Sequence, residues 1–305
     1  MTPSSDEARA FIAAGLDAPL REVTPDNLEA TRAGLAAEYA PRIERALDRY
    51  PVEVRETTMG GIDCLDIVPR GDCKPGTILY CYGGGYIMGS PREDLIVSAA
   101  LAAHAGARVV APWYRLAPEH PYPAAIDDCM AVHAVITTDP SCGPLALAGE
   151  SAGGNAALCL LRRSMKAGAT MPVAVALLSP WSDLTHEDDS HFSNDGRDPT
   201  LTRDLARQAA LLYSGGRELA HPDLSPLCGA WSEPLPPVII TTGTRDLLLD
   251  QNRALATVLE SAGADVALRV WDDLWHVFEF YDELPEADRS LRDIAAFLRR
   301  HLDGG

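Results

Sequence analysis

The chain has 305 residues, of which 47% are hydrophobic and 23% are charged. It carries 26 Lys and Arg residues against 44 Asp and Glu residues, which gives a formal net charge of −18 at pH 7. A surface this acidic repels phosphate groups and argues against nucleic acids and anionic membranes as partners. The length and composition are those of a soluble globular protein that buries a large core.

The N-terminus has neither the basic region nor the apolar stretch of a signal peptide. No window of the chain reaches the run of apolar residues that a membrane span needs, so we expect no stable membrane insertion. The seven cysteines are scattered and form no Cys-x-x-Cys pair. This pattern favours buried thiols over a disulfide framework or a zinc site. We therefore expect a cytoplasmic protein without a metal or other cofactor.

Two helices are predicted before the first strand, over residues 6–16 and 25–49. Thr24-Pro25 predicts an N-cap for the second helix, with proline at its first position. One face of that helix carries apolar residues at a period near 3.6, namely Leu28, Leu35, Tyr39, Ile43 and Leu47. A hairpin follows, because the β-like runs 52–59 and 63–68 are joined by Gly60-Gly61.

From Thr77 onwards, apolar strand-like runs alternate with helical stretches. The predicted strands are 77–82, 108–113, 145–149, 173–179, 238–242 and 265–271. The predicted helices lie near 91–106, 123–138, 152–167, 249–262 and 286–302. Continuous apolar strands separated by amphipathic helices predict a mostly parallel sheet that is covered on both faces.

The alternation is interrupted once, between the strands at 173–179 and 238–242. The intervening stretch is polar and rich in Asp, His, Ser and Pro, with one short helical piece at 202–213. Long connections inside compact domains are usually functional. We interpret 183–225 as an insertion that forms a lid together with the N-terminal helices.

A candidate nucleophile lies where the strand 145–149 meets the helix that starts at Ala152. The junction reads Gly-Glu-Ser-Ala-Gly, with Ser151 at its centre. The glycines at 149 and 153 lack the Cβ atoms that would keep strand and helix apart. A serine on such a turn is exposed at the edge of the sheet, next to unpaired N–H groups of the helix. The sequence therefore predicts a nucleophile elbow.

The serine needs a general base, and in the chain order of this kind of site both the base and its acid lie downstream. Three downstream histidines fall in the polar insertion, and His301 falls on the last helix, where a solvated position is expected. His276 follows the strand 265–271, at the carboxyl end where open α/β sheets bind their ligands. We predict His276 as the base.

The acid is expected at the end of the preceding strand. Asp246 follows the strand 238–242 and is the predicted acid. Asp250, one helical turn later, is predicted to be a helix N-cap, and Asp272 and Asp273 are predicted to be solvated loop charges.

A glycine-rich loop, Gly83-Gly84-Gly85, follows the strand 77–82. Its backbone N–H groups can approach a substrate carbonyl and stabilise the oxyanion that acyl transfer produces. Such a loop could also cradle a phosphate, but the Gly-Lys-Ser/Thr sequence of that site is missing and the net charge opposes it.

Further motifs join the elbow and the glycine loop in a fixed order. They are the run Tyr114–Ala125, Ser179-Pro180-Trp181 and Gly243-Thr244-Arg245-Asp246. Together these motifs resemble the bacterial hormone-sensitive-lipase-like esterases of the α/β-hydrolase superfamily, from about residue 50 to the C-terminus. The resemblance implies an α/β-hydrolase fold, with a mostly parallel sheet of about eight strands, helices on both faces and a helical cap. The implied division is 1–50 as N-terminal cap helices, 51–182 and 226–305 as core, and 183–225 as cap insertion.

The resemblance also implies a function and a site. The implied activity is hydrolysis of small, short- to medium-chain carboxylic esters through an acyl-enzyme. The implied triad is Ser151, Asp246 and His276. The implied oxyanion donors are the N–H groups of Gly84, Gly85 and Ala152. The run Tyr114–Ala125 is expected to pack beside the site rather than to act in it.

Three other functions remain open from the sequence. Amidase or peptidase activity is one of them, and it would need a site that protonates a poorer leaving group. A lactone hydrolase would use the same residues on a cyclic ester, so the partner is a small-molecule ester or lactone. A non-catalytic small-molecule receptor is the alternative of another class, although plant hormone receptors of similar fold have lost a triad residue and here all three positions are filled. The sequence is also compatible with a homodimer.

The chain departs from the family pattern at Tyr82, where the usual loop has histidine before its glycines. The phenol could fill space under the loop, brace it through ring packing and one hydrogen bond, or reach the substrate. We expect activity to survive this change.

Overall fold

The computed structural model describes residues 4–14, 23–232 and 234–304. Its centre is an eight-stranded sheet. The strands are β1 (Val52–Met59), β2 (Ile62–Pro69), β3 (Thr77–Cys81), β4 (Arg108–Pro112), β5 (Leu145–Glu150), β6 (Ala174–Leu178), β7 (Val238–Gly243) and β8 (Val266–Trp271). Their order across the sheet is β1-β2-β4-β3-β5-β6-β7-β8. The pairs β1–β2 and β2–β4 are antiparallel and the others are parallel, which confirms the predicted mostly parallel sheet.

Helices connect the strands and cover the sheet. They are α1 (Asp6–Ala14), α2 (Leu28–Arg49), α3 (Leu95–Ala105), α4 (Ala124–Thr138), α5 (Ala152–Ala167), α6 (Ser190–Ser193), α7 (Arg203–Ser214), α8 (Leu249–Ser261) and α9 (Pro285–Leu302). Every residue of β3, β5 and β6 is buried. Because successive strand residues point to opposite faces, both faces of the sheet are covered. Within the described part of the chain, no helix combines the length and apolarity needed to cross a membrane.

The predicted hairpin forms between β1 and β2. Gly60 and Gly61 connect the strands and have φ angles of +60° and +80°. Positive φ at both central residues gives a turn whose twist matches that of the flanking strands.

The predicted start of α2 is wrong. The helix begins at Leu28 after Asn27, and Thr24 is not its N-cap. Residues 24–27 instead form a turn, in which Asn27 N donates to Thr24 O over 3.1 Å and Thr24 N donates to Asn27 Oδ1 over 2.8 Å. The Asn27 N–H thus bonds to the Thr24 carbonyl, whereas an N-cap at Thr24 would accept this N–H with its side-chain hydroxyl. At the other end of α2 the predicted apolar face is incomplete, because Leu47 is exposed. The last two residues predicted for the first helix, 15 and 16, lie outside the described residues.

Candidate active site

Ser151 lies on a sharp turn between β5 and α5. Its φ angle is +51°, a value that residues other than glycine rarely adopt. The turn is tight because helix and strand nearly touch: a Cβ atom on Gly153 would lie 1.9 Å from Cys81 O, and one on Gly149 would lie 2.3 Å from Gly153 O. Glycine at both positions is therefore a steric requirement of this turn, as the sequence predicts.

Ser151, His276 and Asp246 form one hydrogen-bonded line, although they are far apart in the chain. Ser151 Oγ lies 2.9 Å from His276 Nε2, and His276 Nδ1 lies 3.1 Å from Asp246 Oδ1. An ionised carboxylate only accepts hydrogen bonds, so we assign the imidazole proton to Nδ1. Nε2 is then free to accept the hydroxyl proton of the serine.

Asp246 is fully buried at the carboxyl end of β7. Leu248 N donates to its Oδ1 over 2.9 Å, and the Thr242 hydroxyl donates to its Oδ2 over 2.8 Å. Burial alone would raise the pKa of Asp246, but the charge and the hydrogen bond of His276 outweigh burial and lower it. The carboxylate is therefore ionised at neutral pH and holds the imidazole in one orientation.

His276 lies in the loop after β8. Whereas His276 lowers the pKa of Asp246, Asp246 raises the pKa of His276. Burial alone would lower the pKa of His276, but the charge of Asp246 and the hydrogen bond to it raise the pKa above its ordinary value. The charges of Asp198 and Glu279 act in the same direction. An imidazole that gains a proton readily is suited to take one from a serine hydroxyl.

The other acidic residues near the site have different partners from those predicted. Asp250 is not the N-cap of α8, which is Leu248. The Asp250 carboxylate instead accepts from Ser190 N over 3.0 Å and pairs with Arg253. Asp273 is not simply a solvated charge, because it forms an ion pair with Arg245 over 2.6 Å.

The glycine loop lies beside the serine. Gly83 has no room for a side chain, because its Cβ atom would lie 1.9 Å from Glu150 Oε1. Gly84 and Gly85 line the same cavity as Ser151. Ala152 is the first residue of α5, so its N–H has no acceptor within the helix. The role of Gly84, Gly85 and Ala152 as oxyanion donors stays a prediction.

Tyr82 braces the glycine loop through Tyr114. The two rings stack with their centroids 3.9 Å apart and an angle of 4° between their planes. Each phenol donates to the other residue's carbonyl: Tyr82 Oη to Tyr114 O over 3.1 Å, and Tyr114 Oη to Tyr82 O over 2.6 Å. Tyr82 is buried and does not line the cavity. Of the roles considered from the sequence, the geometry favours packing with a hydrogen bond over contact with a substrate.

Two buried carboxyl groups lie behind the glycine loop. Asp94 and Glu150 are hydrogen-bonded to each other, and the Tyr80 hydroxyl donates to Asp94 Oδ2 over 2.8 Å. Burial raises the pKa of Asp94 to about 8 and that of Glu150 well above its ordinary value. The pair is therefore protonated at neutral pH, and no negative charge from it opposes an oxyanion at the loop.

A cavity of about 140 Å³ opens above Ser151. Glu150, Ser151 and His276 are among the residues that line it. Its walls are largely apolar and come from both segments that the sequence assigns to a cap. The wall residues from α2 and from the stretch that contains α7 are Leu35, Tyr39, Leu201, Leu205, Ala206 and Ala209.

The N-terminal helices pack on the loop that carries His276. Phe11 of α1 stacks on Trp275 with the ring centroids 4.5 Å apart, and Tyr39 of α2 lies 5.5 Å from Phe280. Aromatic contacts of this kind contribute about 0.5–1.5 kcal/mol each beyond the area they bury. The position of the base thus depends in part on α1 and α2.

Some residues of the site carry no signal that sequence analysis could use. Thr242 contacts Asp246, yet it looks like an ordinary polar residue of a strand. Ser179 also contacts Asp246, and the sequence motif Ser179-Pro180-Trp181 gives no indication of that contact. Asp198 also touches the loops of both Asp246 and His276. It is one of several aspartates in a polar insertion, and only the fold distinguishes it from the others.

The cysteines and the acidic residues form no further centre. All seven cysteines are free thiols. Among the residues that the structure describes, no group of three or more His, Cys, Asp or Glu side chains is arranged to hold a metal ion.

Comparisons with known proteins show the family and the fold. A family model described as the alpha/beta hydrolase fold matches residues 78–280. An acetyl-hydrolase of Streptomyces hygroscopicus is 37% identical over 78% of this chain and 84% of its own length. A carboxylesterase of Mycobacterium tuberculosis, NlhH, is 32% identical over 93% of this chain and 92% of its own. The crystal structure of a hormone-sensitive lipase from a metagenome library superimposes with a TM-score of 0.88 and 31% identity, covering 99% of this chain and 100% of that one.

Proposed function

Because the chain belongs to the hormone-sensitive-lipase-like esterases of the α/β-hydrolase family, we propose that it hydrolyses small carboxylic esters with Ser151 as nucleophile, His276 as base and Asp246 as acid. Esterase activity follows from the family, and these residue roles are the specific part of the proposal. The main support for them is the hydrogen-bonded line from Ser151 Oγ through both ring nitrogens of His276 to Asp246. Two residues of this line, Ser151 and His276, also line the cavity.

In the first half of the reaction Ser151 becomes acylated. Its Oγ attacks the ester carbonyl carbon while the hydroxyl proton passes to His276 Nε2. The carbonyl oxygen becomes an oxyanion, and the N–H groups of Gly84, Gly85 and Ala152 stabilise it. The tetrahedral intermediate then expels the alcohol, which takes the proton from Nε2 and leaves the acyl group on Oγ.

In the second half water releases the acid. Nε2 takes a proton from a water molecule as its oxygen adds to the acyl carbonyl, and the same N–H groups hold the second oxyanion. Collapse of this intermediate frees the carboxylic acid and returns the proton to Ser151 Oγ. Asp246 keeps its charge throughout and stabilises the imidazolium in both halves.

The cavity supports a small ester as the substrate. A volume of about 140 Å³ has room for on the order of ten water-sized groups. Its largely apolar walls suit an acyl chain or an apolar alcohol. We therefore propose short- to medium-chain esters rather than long-chain lipids.

The test compares wild type and Ser151→Ala on nitrophenyl esters of increasing acyl length, with small lactones assayed on the same samples. We expect the wild type to be most active on short acyl chains. We expect Ser151→Ala to lose about 10⁴-fold or more in kcat, since it removes the nucleophile and leaves the glycines of the turn in place.

Ser261→Ala is the matched control, because Ser261 is exposed on α8 and, among the residues described, its hydroxyl bonds only to Thr257 O. It should retain full activity. Substantial ester turnover by Ser151→Ala would refute the proposed nucleophile. A folded wild type that binds small molecules but cleaves neither esters nor lactones would favour the receptor function instead.

A further inference from the structure

One carboxylate of the insertion reaches the loops of both Asp246 and His276. Asp198 lies between α6 and α7 and is only 4% exposed. Its Oδ2 accepts from Leu247 N over 3.1 Å and from His276 N over 3.1 Å. Asp198 Oδ2 thus bonds both to the backbone N–H of Leu247, the residue after Asp246, and to the backbone N–H of His276.

The other oxygen of Asp198 anchors its own segment. Oδ1 accepts from Thr200 N over 2.9 Å and from Leu201 N over 3.1 Å. The Thr200 hydroxyl lies 3.0 Å from Asp198 Oδ1 and 3.3 Å from His276 O, so its single proton is shared between these two acceptors. The insertion is therefore held to the loop of the base by two routes.

Asn194 makes a similar contact on the acid side. Its Nδ2 donates to Asp246 O over 2.9 Å and to Thr244 O over 3.2 Å, and its Oδ1 accepts from Arg197. Residues 194–200 therefore bridge the loops after β7 and β8. The sequence-based interpretation of this insertion as a lid leaves out these contacts.

We propose that Asp198 is a positioning residue for the triad: it fixes the distance between the loops of Asp246 and His276, and its charge stabilises the protonated form of His276. The inference rests on the proposed function, because it assigns Asp198 a role in that same site. Asp198 touches no reacting atom and acts through the backbone and the charge of its neighbours.

The electrostatic part of the role depends on all the charges that face His276. These groups are Asp246 from the loop after β7, Asp198 from the insertion and Glu279 from the turn after His276. Burial and the neighbouring Asp246 raise the pKa of Asp198 to about 6. It is therefore ionised at neutral pH, where its charge adds to that of Asp246 in raising the pKa of His276.

The test is Asp198→Asn, which keeps the size of the side chain. An amide has one acceptor oxygen, whereas the carboxylate here serves four backbone N–H groups on its two oxygens. Whichever way the amide turns, one pair of N–H groups faces an NH₂ group. We expect kcat to fall by about 10²-fold, as displacements near 1 Å do in other sites, with KM changed by less than about threefold.

A pH readout separates this role from a purely structural one. Loss of the charge should move the acid limb of kcat/KM, and the His276 pKa measured by imidazole NMR, to lower pH by up to about one unit. The NMR titration needs no substrate, so it still tests the role of Asp198 if ester hydrolysis itself fails to appear. Activities are normalised to the fraction of Ser151 that an organophosphonate titrates.

Asp188→Asn is the matched control from the same insertion. Asp188 accepts from the Ser190 hydroxyl and from His191 N, within its own segment. It should keep kcat within about twofold and leave the acid limb in place. A wild-type kcat together with an unchanged His276 pKa in Asp198→Asn would overturn the inference.

If Asp198→Asn does not fold, the Asn194→Ala variant tests whether residues 194–200 position the two loops. It removes the neutral contacts to Thr244 O and Asp246 O, so kcat should fall by about 5- to 20-fold with an unchanged acid limb. An unchanged kcat in this variant would overturn the bridging role of residues 194–200.

Discussion

Replacing Asp246 by asparagine separates two ways in which the acid could act. Leu248 N and His276 Nδ1 both bond to Oδ1, whereas the Thr242 hydroxyl donates to Oδ2 and the Ser179 hydroxyl also bonds to the carboxylate. An asparagine amide should therefore point its oxygen at Leu248 N and His276, because a hydroxyl can rotate to accept from NH₂ and a backbone N–H cannot. The imidazole then keeps its proton on Nδ1, and the variant loses mainly the negative charge.

The magnitude follows from the contact distance. Two unit charges about 4 Å apart interact by about 4 kcal/mol at an effective dielectric constant near 20. Loss of that interaction in the transition state lowers kcat by about 10³-fold. The pKa of His276 falls at the same time, because Asp246 contributes most to raising it above the ordinary value. The acid limb of kcat/KM should therefore move to lower pH.

The assay is the pH dependence of nitrophenyl ester hydrolysis by Asp246→Asn, with Asp250→Asn as the matched control. Asp250 lies one helical turn further on and contacts Ser190 and Arg253 instead of His276. Its variant should lose less than about threefold. A loss below about tenfold for Asp246→Asn, or a larger loss for Asp250→Asn, would refute the assignment of the acid.

Three smaller predictions concern the surroundings of the site. Tyr82→Phe keeps the stacked ring and removes one hydrogen bond, so urea unfolding should show a loss of ~0.5–1.5 kcal/mol and kcat should fall less than about tenfold; a loss of about 10³-fold at normal KM would give the phenol a direct role. Phe11→Ala should lower the free energy of unfolding by roughly 2 kcal/mol, since the ring on Trp275 is only partly buried, and equal stabilities would contradict the packing of α1 on that loop. Wild-type kcat/KM should decline above about pH 8 as Asp94 loses its proton beside the glycine loop. Asp94→Asn should move this decline to higher pH. The same alkaline limb in both proteins would contradict the claim that the protonated carboxyl pair keeps negative charge away from the oxyanion.

The sheet and the ends of its strands could be predicted because they depend on local patterns. Apolar runs separated by amphipathic helices predict β3 to β8 within a residue or two at each end. Ser151, Asp246 and His276 each follow such a run, and parallel strands bring their carboxyl ends to one edge of the sheet. The candidate triad could therefore be predicted from the elbow motif and the order of the elements.

The partners of Asp250 and Asp198 could not be predicted, because they depend on hydrogen bonds between distant parts of the chain. Asp250 stands where the sequence predicts an N-cap, yet its carboxylate accepts a hydrogen bond from Ser190 N, 60 residues away in the chain. The Asp198 carboxylate accepts a hydrogen bond from His276 N, 78 residues further along the chain. Nothing in a polar insertion distinguishes such an aspartate from its solvated neighbours, since burial among four N–H donors is a property of the assembled loops.

The central claim, that Ser151 is a nucleophile activated by His276, is tested most directly by covalent trapping. The protein is treated with an organophosphonate at a series of pH values, and the adduct is located by mass spectrometry of the intact chain and its peptides. We expect one adduct per chain, on Ser151, with a labelling rate that falls as pH drops through the raised pKa of His276. An adduct on another residue of an active sample, or a labelling rate independent of pH between about 5 and 8, would contradict the account.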